Sequence, residues 1–201
     1  MEQTKEIYIY GISGHGQVVA DIATACGYTI AGWIDDGINT SPDWETFIQI
    51  HPSSAIVLGV GNNLIRAQLA KKILQNGYTL PALIHPSAVI SPSAIIAQGA
   101  VVMPLCVVNA HANIEQGVII NSGAIIEHDC TIGEFAHISP NVALAGGVSI
   151  GAMSHIGIGS SVIQNITIGK NSIIGAGSVV IHNIPDECTA IGVPCKPIYP
   201  E

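Results

Sequence analysis

A histidine between two carboxylates is the first feature of this sequence that could do chemistry. The histidine is His128 in the segment Glu127–His128–Asp129, and Gly146 follows it by 18 positions within an Ala-Gly-Gly segment. An imidazole can take a proton from an attacking nucleophile, and a neighbouring carboxylate can orient the ring. A backbone N–H at a glycine can stabilise the oxyanion of a reacting thioester. The two segments predict acyl transfer, provided that the fold brings them into contact.

The spacing of aliphatic residues indicates which fold could make that contact. Every sixth residue from Ile84 to Val180 is Ile, Leu or Val without an insertion, and the fourth residue after each is nearly always small. A period of six excludes an α-helix, whose period is about 3.6. The pattern resembles the hexapeptide-repeat family, whose fold is a left-handed parallel β-helix with three hexapeptides in each triangular coil. Residues 84–183 would form roughly five and a half coils, stacked about 4.7–4.9 Å apart.

A coil of three hexapeptides contains 18 residues, so residues 18 positions apart lie one above the other. His128 would lie one coil below Gly146, and either Asp129 or Glu127 could orient its ring. His111 would lie one coil below Asp129 and could touch it.

Other polar residues of the repeat would point away from the prism. His137 and His155 would stack on one outer face, and Asn121 would project outward. For His155 and His111 the pattern favours a surface or subunit-contact role. No histidine pair has the H-x-x-x-H spacing of metal ligands, so no metal is expected, although a metal on an oligomer axis stays open.

The first part of the chain has a different pattern, with strands and helices in alternation. This order predicts a small Rossmann-like domain with a parallel sheet. The predicted elements are strands at 6–11, 29–36 and 54–61, a fourth strand at 79–85 that feeds the repeat, helices at 16–26 and 63–77, and a short helix in WETFIQI. The turn Gly11-x-x-Gly14-x-Gly16 opens a helix, and Asp35 and Asp36 end the next strand. These features predict a nucleotide site, with phosphate at the helix N-terminus and the acids on ribose or base. The glycine spacing disfavours NAD.

Composition excludes several classes of partner. The 201 residues carry a formal net charge of −8, which argues against nucleic acid and anionic membranes. Gly, Pro, Ser, Asn or His interrupts every apolar run before about 18 residues, and the first six residues are polar. We therefore expect a cytoplasmic protein without membrane insertion.

Motifs along the whole chain carry a more specific resemblance. The segments IYIYGISGHG, WIDD, GVGNN, INSGAIIEHDCTIGEFAHISP, ALAGGVSIG and GVPCK are similar to those of bacterial sugar acetyltransferases of the PglD/NeuD type. The resemblance is greatest to the UDP-4-amino-sugar N-acetyltransferases of the bacillosamine pathway. It implies a homotrimer with acetyl-CoA between neighbouring β-helices. It also implies a nucleotide-sugar-binding domain at 1–83, an acyltransferase β-helix at 84–183 and a C-terminal tail at 184–201.

The resemblance also implies a role for each matching residue. His128 would be the general base for the sugar 4-amino group, oriented by Asp129, where the most similar relatives have Glu. Asn121 would contact the acceptor, and the Gly146 N–H would meet the thioester oxygen. Acetyl-CoA would contact His137, Ile158, Ala176 and Lys196. The UDP-sugar would contact Ser13, Gly14, His15, Asp35, Asp36, Gly61 and Asn62.

Three alternatives remain open at this point. The acceptor could be a hydroxyl of a sialic acid or capsule sugar, which would need the same base and a different pocket. The nucleotide carried by the acceptor 4-amino sugar could be GDP instead of UDP. The chain could also be a non-catalytic trimeric scaffold that binds a nucleotide-sugar, although a scaffold does not need the set of His128, Asp129 and Gly146.

Overall fold

The N-terminal part of the molecule is a three-stranded parallel sheet with helices packed on it. The computed structural model describes residues 5–37, 41–51 and 53–198. The sheet has the order β2-β1-β3. Its elements are β1 (Lys5–Tyr10), α1 (Gly14–Ala25), β2 (Tyr28–Ile34), α2 (Trp44–Ile50), β3 (Ile56–Leu58) and α3 (Asn63–Gln75).

Local sequence explains where these elements begin. Gly11 has a φ of +110°, and a methyl group on Gly16 would collide with the Gly11 carbonyl. Two residues without side chains are therefore needed for the tight turn from β1 to α1. Asn62 caps α3, since its side chain accepts a hydrogen bond from the Ile65 N–H at 3.0 Å.

The fourth strand predicted at 79–85 does not join the N-terminal sheet. Thr79 makes a single parallel bridge with Ala55. Leu83 and Ile84 pair instead with Val101 and Val102 and form the first strand of the repeat. Pro81 lies between these two pairings, and its missing N–H favours the break.

The rest of the chain forms a prism with three faces of short strands, all parallel to their neighbours except the last strand, which is antiparallel. Strands 18 residues apart are neighbours, as in the pairing of Ile119 with His137. Face one contains β4 (Leu83–Ile84), β7 (Val101–Val102), β10 (Ile119–Ile120), β13 (His137–Ile138), β16 (His155–Ile156), β19 (Ile173–Ile174), β21 (Thr189–Ile191) and β22 (Lys196–Ile198).

The other two faces repeat the pattern. Face two contains β5 (Val89–Ile90), β8 (Val107–Val108), β11 (Ile125–Ile126), β14 (Ala143–Leu144), β17 (Ser161–Val162) and β20 (Val179–Val180). Face three contains β6 (Ile95–Ile96), β9 (Asn113–Ile114), β12 (Thr131–Ile132), β15 (Ser149–Ile150) and β18 (Thr167–Ile168). The edges between faces are named below by the faces that they join. The predicted parallel β-helix behind a Rossmann-like domain is confirmed.

The prism interior is filled by the periodic aliphatic residues. From Val102 to Val180 each of them is buried. Small residues occupy the corners, where the buried hydroxyls of Ser154 and Ser160 donate to the carbonyls of Gly169 and Gly175. The interior is apolar apart from hydroxyls and thiols that bond to the backbone, so the chemistry must lie on the outside.

The N-terminal domain packs on the lower part of face one. The outward side chains of Leu83, Val101 and Ile119 are buried there and form one apolar cluster with Val19 and Ile22 of α1. Higher on the same face, His137 and His155 are only partly covered. Across the described ranges, the helices are all too short or too polar to span a bilayer.

Candidate functional site

His128 lies at edge two–three, in contact with the coil above it. Its ring packs against Gly146, because a methyl group built on Gly146 would stand 2.6 Å from both Cε1 and Nε2 of His128. The Gly147 N–H donates to the His128 carbonyl at 2.9 Å and holds the two coils in register. The structure thus brings the imidazole and the glycine together at an open edge, where the His128 side chain is 61% exposed.

Asp129 orients this ring. Its Oδ2 lies 2.7 Å from Nδ1 of His128. An ionised carboxylate only accepts, so Nδ1 carries the proton of the neutral ring and Nε2 keeps a free lone pair on the side of Gly146. The hydrogen bond to Asp129 raises the pKa of His128, and the charges of Asp129 and Glu127 add to the effect. This arrangement suits a general base.

Among the described residues, neither of the two other groups proposed around His128 bonds to the His128–Asp129 pair. Glu127 accepts a hydrogen bond from the Asn109 side chain at 3.0 Å, so of the two carboxylates only Asp129 bonds to the ring. The His111 side chain makes no hydrogen bond to Asp129 among the described residues, and its backbone N–H donates to Ser93 Oγ at 3.1 Å.

Asn121 acts on His137 on face one. Its Oδ1 accepts from the Ser122 N–H at 2.8 Å, which turns its amide nitrogen toward Nε2 of His137 at 3.1 Å. The amide can only donate there, so Nε2 of His137 accepts and the ring proton lies on Nδ1. Asn121 therefore fixes the tautomer of His137.

Three partly buried histidines form a row beside this contact. The rings of His137 and His155 stack at 4.7 Å between centroids, and His15 of α1 lies 6.5 Å from His137. Ser139 Oγ lies 2.8 Å from Nε2 of His155. The row continues from the N-terminal domain onto face one.

Burial keeps these rings neutral. Desolvation, the repulsion that a protonated His155 would add, and the charge of Arg66 lower the pKa of His137 to about 3, while a backbone contact at Gly61 opposes part of this shift. Burial and the Arg66 charge also lower the pKa values of His15 and His155. The buried Nε2 of His15 and Nδ1 of His137 make no hydrogen bond within the described residues.

A cavity of about 600 Å³ opens between the N-terminal domain and face one. It brings together predicted residues from both halves of the molecule, Gly61 and Asn62 from the sugar-binding set and His137 from the acetyl-CoA set. The remaining lining residues are Asn63, Leu64, Met153, His155, Asn171 and Ile173. His155 thus lines a cavity, a place that the six-residue pattern did not indicate.

A second pocket of about 270 Å³ lies in the N-terminal domain and contains Asp35 and Asp36. Both carboxylates also organise the protein. Asp35 accepts from the N–H groups of Ile12 and Gly37 at 3.1 and 2.9 Å. Asp36 accepts from the Tyr10 hydroxyl at 2.7 Å and the Trp44 N–H at 3.0 Å.

Asp36 remains an anion in this setting. Burial acts to raise its pKa, but the bonds from Tyr10 and Trp44 and the charge of Lys72, 3.5 Å away, outweigh burial and lower it. A ligand at Asp35 or Asp36 must share oxygens that already accept protein hydrogen bonds.

The turn before α1 presents unused groups. Ser13 occupies the N-cap position, but its hydroxyl makes no capping bond, and Gly14 is exposed beside it. Helix N-terminal amides suit phosphate oxygens, so this turn remains compatible with the nucleotide site predicted there.

The predicted acetyl-CoA residues are dispersed within one chain. Ile158 and Ala176 are neighbours at edge one–two, where the Gly177 N–H donates to the Ile158 carbonyl at 2.8 Å. Lys196 is exposed in β22. His128 lies at edge two–three, which is opposite face one in a triangular prism. One chain therefore does not unite His128 with His137 or with Ile158. The described part of the chain contains no cluster of potential metal ligands.

Comparisons with known proteins match both halves of this architecture. Residues 6–73 match the PglD N-terminal domain, and residues 111–146 match the bacterial transferase hexapeptide (six repeats). The chain is 38% identical to PerB from Caulobacter crescentus, solved with CoA and GDP-perosamine, with a TM-score of 0.92 over 98% of this chain and 99% of PerB. It is 39% identical to the acetyltransferase domain of PglB from Neisseria gonorrhoeae with acetyl coenzyme A, with a TM-score of 0.88 over 98% of this chain and 100% of that domain.

A curated relative matches over a shorter stretch. The UDP-N-acetylbacillosamine N-acetyltransferase of Bacillus subtilis (strain 168) is 39% identical over 111 residues. This alignment spans 49% of the present chain and 51% of that protein.

Proposed function

Because the chain belongs to the hexapeptide-repeat acetyltransferases with a PglD-type N-terminal domain, we propose that it N-acetylates a nucleotide-linked amino sugar. The donor is acetyl-CoA, and the acceptor is the 4-amino group of a UDP-linked 2-acetamido-4-amino-trideoxy sugar, as in the bacillosamine route to bacterial glycans. The observation that carries this proposal is the contact of the Asp129-bound His128 ring with Gly146.

The proposed chemistry is direct transfer without an acyl-enzyme. The free lone pair on Nε2 of His128 accepts a proton as the neutral amine attacks the thioester carbon. Asp129 stabilises the imidazolium that results, since its carboxylate already bonds Nδ1. No bond from the Gly146 N–H occurs among the described residues, which leaves it available to the developing oxyanion. Collapse of the tetrahedral intermediate releases CoA thiolate, which takes up a proton.

The two substrates would approach from different elements. The turn at Ser13, Gly14 and His15 and the pocket at Asp35 and Asp36 hold the nucleotide, and Gly61 and Asn62 direct the sugar toward the 600 Å³ cavity. Acetyl-CoA follows Ile158 and Ala176 along edge one–two, with Lys196 near its phosphates. His137, held by Asn121, contacts its reactive end.

A homotrimer is part of the proposal, because a single chain leaves the site incomplete. His128 of one copy can meet Asn121 and His137 only if a second prism brings its own face one alongside. The outward column of face two offers an apolar surface for such packing, with Val89 and Ile125 64% and 40% exposed. Three identical prisms around one axis would bring His128 of each copy to face one of the next and would cover the apolar column of face two.

A thiol-release assay tests the function. Purified protein with acetyl-CoA and UDP-4-amino sugars should release CoA and yield the N-acetylated sugar by mass spectrometry. Sugars that carry a 4-hydroxyl in place of the amine should not react. Release with the hydroxyl sugars and not the amines would replace the proposal with O-acetylation. Absence of release with every sugar would leave a binding scaffold.

A GDP-linked 4-amino sugar is the second candidate. It is favoured by the 38% identity to PerB over nearly the whole chain, since PerB was solved with GDP-perosamine. Parallel reactions with UDP- and GDP-linked amino sugars at equal concentration decide between the two through kcat/KM.

A further inference from the structure

Arg66 is a buried charge that the proposed chemistry does not use. It lies on α3, is 1% exposed, and pairs with no carboxylate among the described residues. Burial lowers its pKa to about 10, so the guanidinium is still charged at neutral pH. A buried charge without a counter-ion is costly unless hydrogen bonds satisfy it.

Its hydrogen bonds run in two directions. Toward its own domain, Nη1 donates to the Gly61 carbonyl at 2.9 Å, and Nη2 donates to Oδ1 of Asn63 at 3.0 Å. Toward the β-helix, Nε donates to the Gly117 carbonyl at 2.8 Å, and Nη2 donates to the Phe135 carbonyl at 2.7 Å. One planar group thus joins the loop before α3 to two successive coils at edge three–one.

A second side chain extends the same connection. Asn63, whose Oδ1 accepts from Arg66, donates through Nδ2 to the carbonyl of Met153 at 2.9 Å, one coil further along the prism. The pair therefore fixes the loop at Gly61 and Asn62 against three coils, beside the cavity that His137 and His155 line.

We propose that Arg66 is a positioning residue for the transfer reaction. It holds the loop at Gly61 and Asn62, which directs the sugar in the proposed function, at a fixed position relative to His137. This position aligns the amine with the thioester. The predicted effect of Arg66 on catalysis rests on the proposed function, whereas its effect on the position of the loop does not. Small displacements matter in such a step, since about 1 Å of misplacement can cost roughly 10²-fold in rate.

The geometry requires arginine rather than any cation. The carbonyls of Gly61, Gly117 and Phe135 lie around a planar fork with donors in fixed directions. A lysine ammonium is a compact charge with three donors at one point and cannot reach all three acceptors. Arg66→Lys keeps the charge and loses the alignment, whereas Arg66→Met loses both.

The test compares Arg66→Lys and Arg66→Met with Lys71→Met, which removes a positive charge from the exposed side of the same helix. Binding of UDP or GDP and of CoA is measured separately by calorimetry, and turnover by thiol release. Hydrogen exchange of residues 60–66 gives a readout that does not depend on activity. Turnover by the wild-type protein tests the proposed function. The turnover of each variant relative to wild type tests the role of Arg66.

We expect both Arg66 variants to bind each ligand within about threefold of wild type and to lose about 10²-fold in kcat. Their amides at 60–66 should exchange at least about tenfold faster, while Lys71→Met matches wild type. Turnover of Arg66→Lys within about threefold of wild type would overturn the proposal. Parallel loss of ligand binding and of the thermal transition in both variants would also overturn it, because Arg66 would then support only the fold.

Discussion

The ring of His128 packs so closely on Gly146 that a methyl group there would stand 2.6 Å from Cε1 and Nε2. Gly146→Ala should therefore turn the ring away from the reacting amine. The ring is 61% exposed and free to rotate outward, so the fold should survive. We expect kcat/KM to fall by about 10²-fold with an unchanged thermal midpoint. An alanine variant with wild-type kinetics would show that this contact does not serve catalysis.

Removal of the base is a direct test of His128. His128→Ala should lower kcat/KM by at least about 10²-fold, because general-base catalysis contributes about 10²–10⁴-fold. The exposed His182 provides a control, and His182→Ala should retain full activity. Both variants should keep the oligomer mass of wild type in sedimentation. Near wild-type turnover by His128→Ala would refute its assignment as the base.

Asp129→Asn should move the pH profile to lower pH. The hydrogen bond to Asp129 raises the pKa of His128, and transfer requires the unprotonated ring. The acidic limb of kcat/KM thus follows this pKa and should shift downward when the carboxylate is removed. The plateau should fall at least about tenfold, since the ring is no longer oriented. Asp186→Asn, which neutralises a carboxylate bonded to Lys170, is the control. An unmoved or rising limb would contradict the prediction.

Asn121→Asp should reverse the tautomer of His137. A carboxylate at the 3.1 Å contact accepts rather than donates, so the ring proton would move from Nδ1 to Nε2. Nitrogen chemical shifts of the labelled imidazole report this directly. We expect kcat/KM for acetyl-CoA to fall about tenfold or more, whereas Asn113→Asp on face three should have no effect. The prediction fails if the tautomer changes and the kinetics do not.

His137 should make stability depend on pH in the acidic range. Its folded pKa is about 3, against about 6.5 in an unfolded chain. Between these values the unfolded state binds a proton that the folded state does not. Stability therefore rises with pH up to about 6.5 and is lost as pH falls, by at most about 1.4 kcal/mol per pH unit for each chain.

Replacement of the ring isolates this effect. His137→Gln should reduce the slope of the unfolding free energy against pH between pH 4 and 6, measured in urea titrations. The reduction should be up to about 1.4 kcal/mol per pH unit, which corresponds to one proton per chain. His182→Gln should leave the slope unchanged. An equal slope in both variants would mean that His137 is protonated in the folded protein.

The sequence determined the prism far better than the site around it. A period of six fixed the ends of the strands, because each two-residue strand from Leu83–Ile84 to Val179–Val180 finishes on a predicted aliphatic. The spacing of His128 and Gly146 needed only that period, since both belong to the same regular edge. The period can be seen in residues that are close in sequence. In this fold the contacts between coils recur with the same period, so the sequence predicts them.

Contacts between the two halves carry no such signal. Arg66 reads as one charge on an amphipathic helix, yet its partners Gly117 and Phe135 lie 51 and 69 residues away. Tyr10 and Lys72, which hold Asp36, are likewise distant in sequence. His155 was predicted to be a surface residue, because no local pattern shows that the N-terminal domain packs on face one. The strand predicted at 79–85 as the lead into the repeat forms only at Leu83–Ile84, where it pairs with Val101 and Val102 of the repeat.

The position of His128 on the side of the prism opposite His137 has a genetic consequence in the proposed trimer. Each reaction centre would draw one part from each of two copies, so two impaired proteins could repair one another. Cells that express His128→Ala together with Asn121→Asp would assemble mixed particles in which some centres receive both intact parts. Each allele alone would form the product more slowly than wild type, and the pair would recover part of the loss.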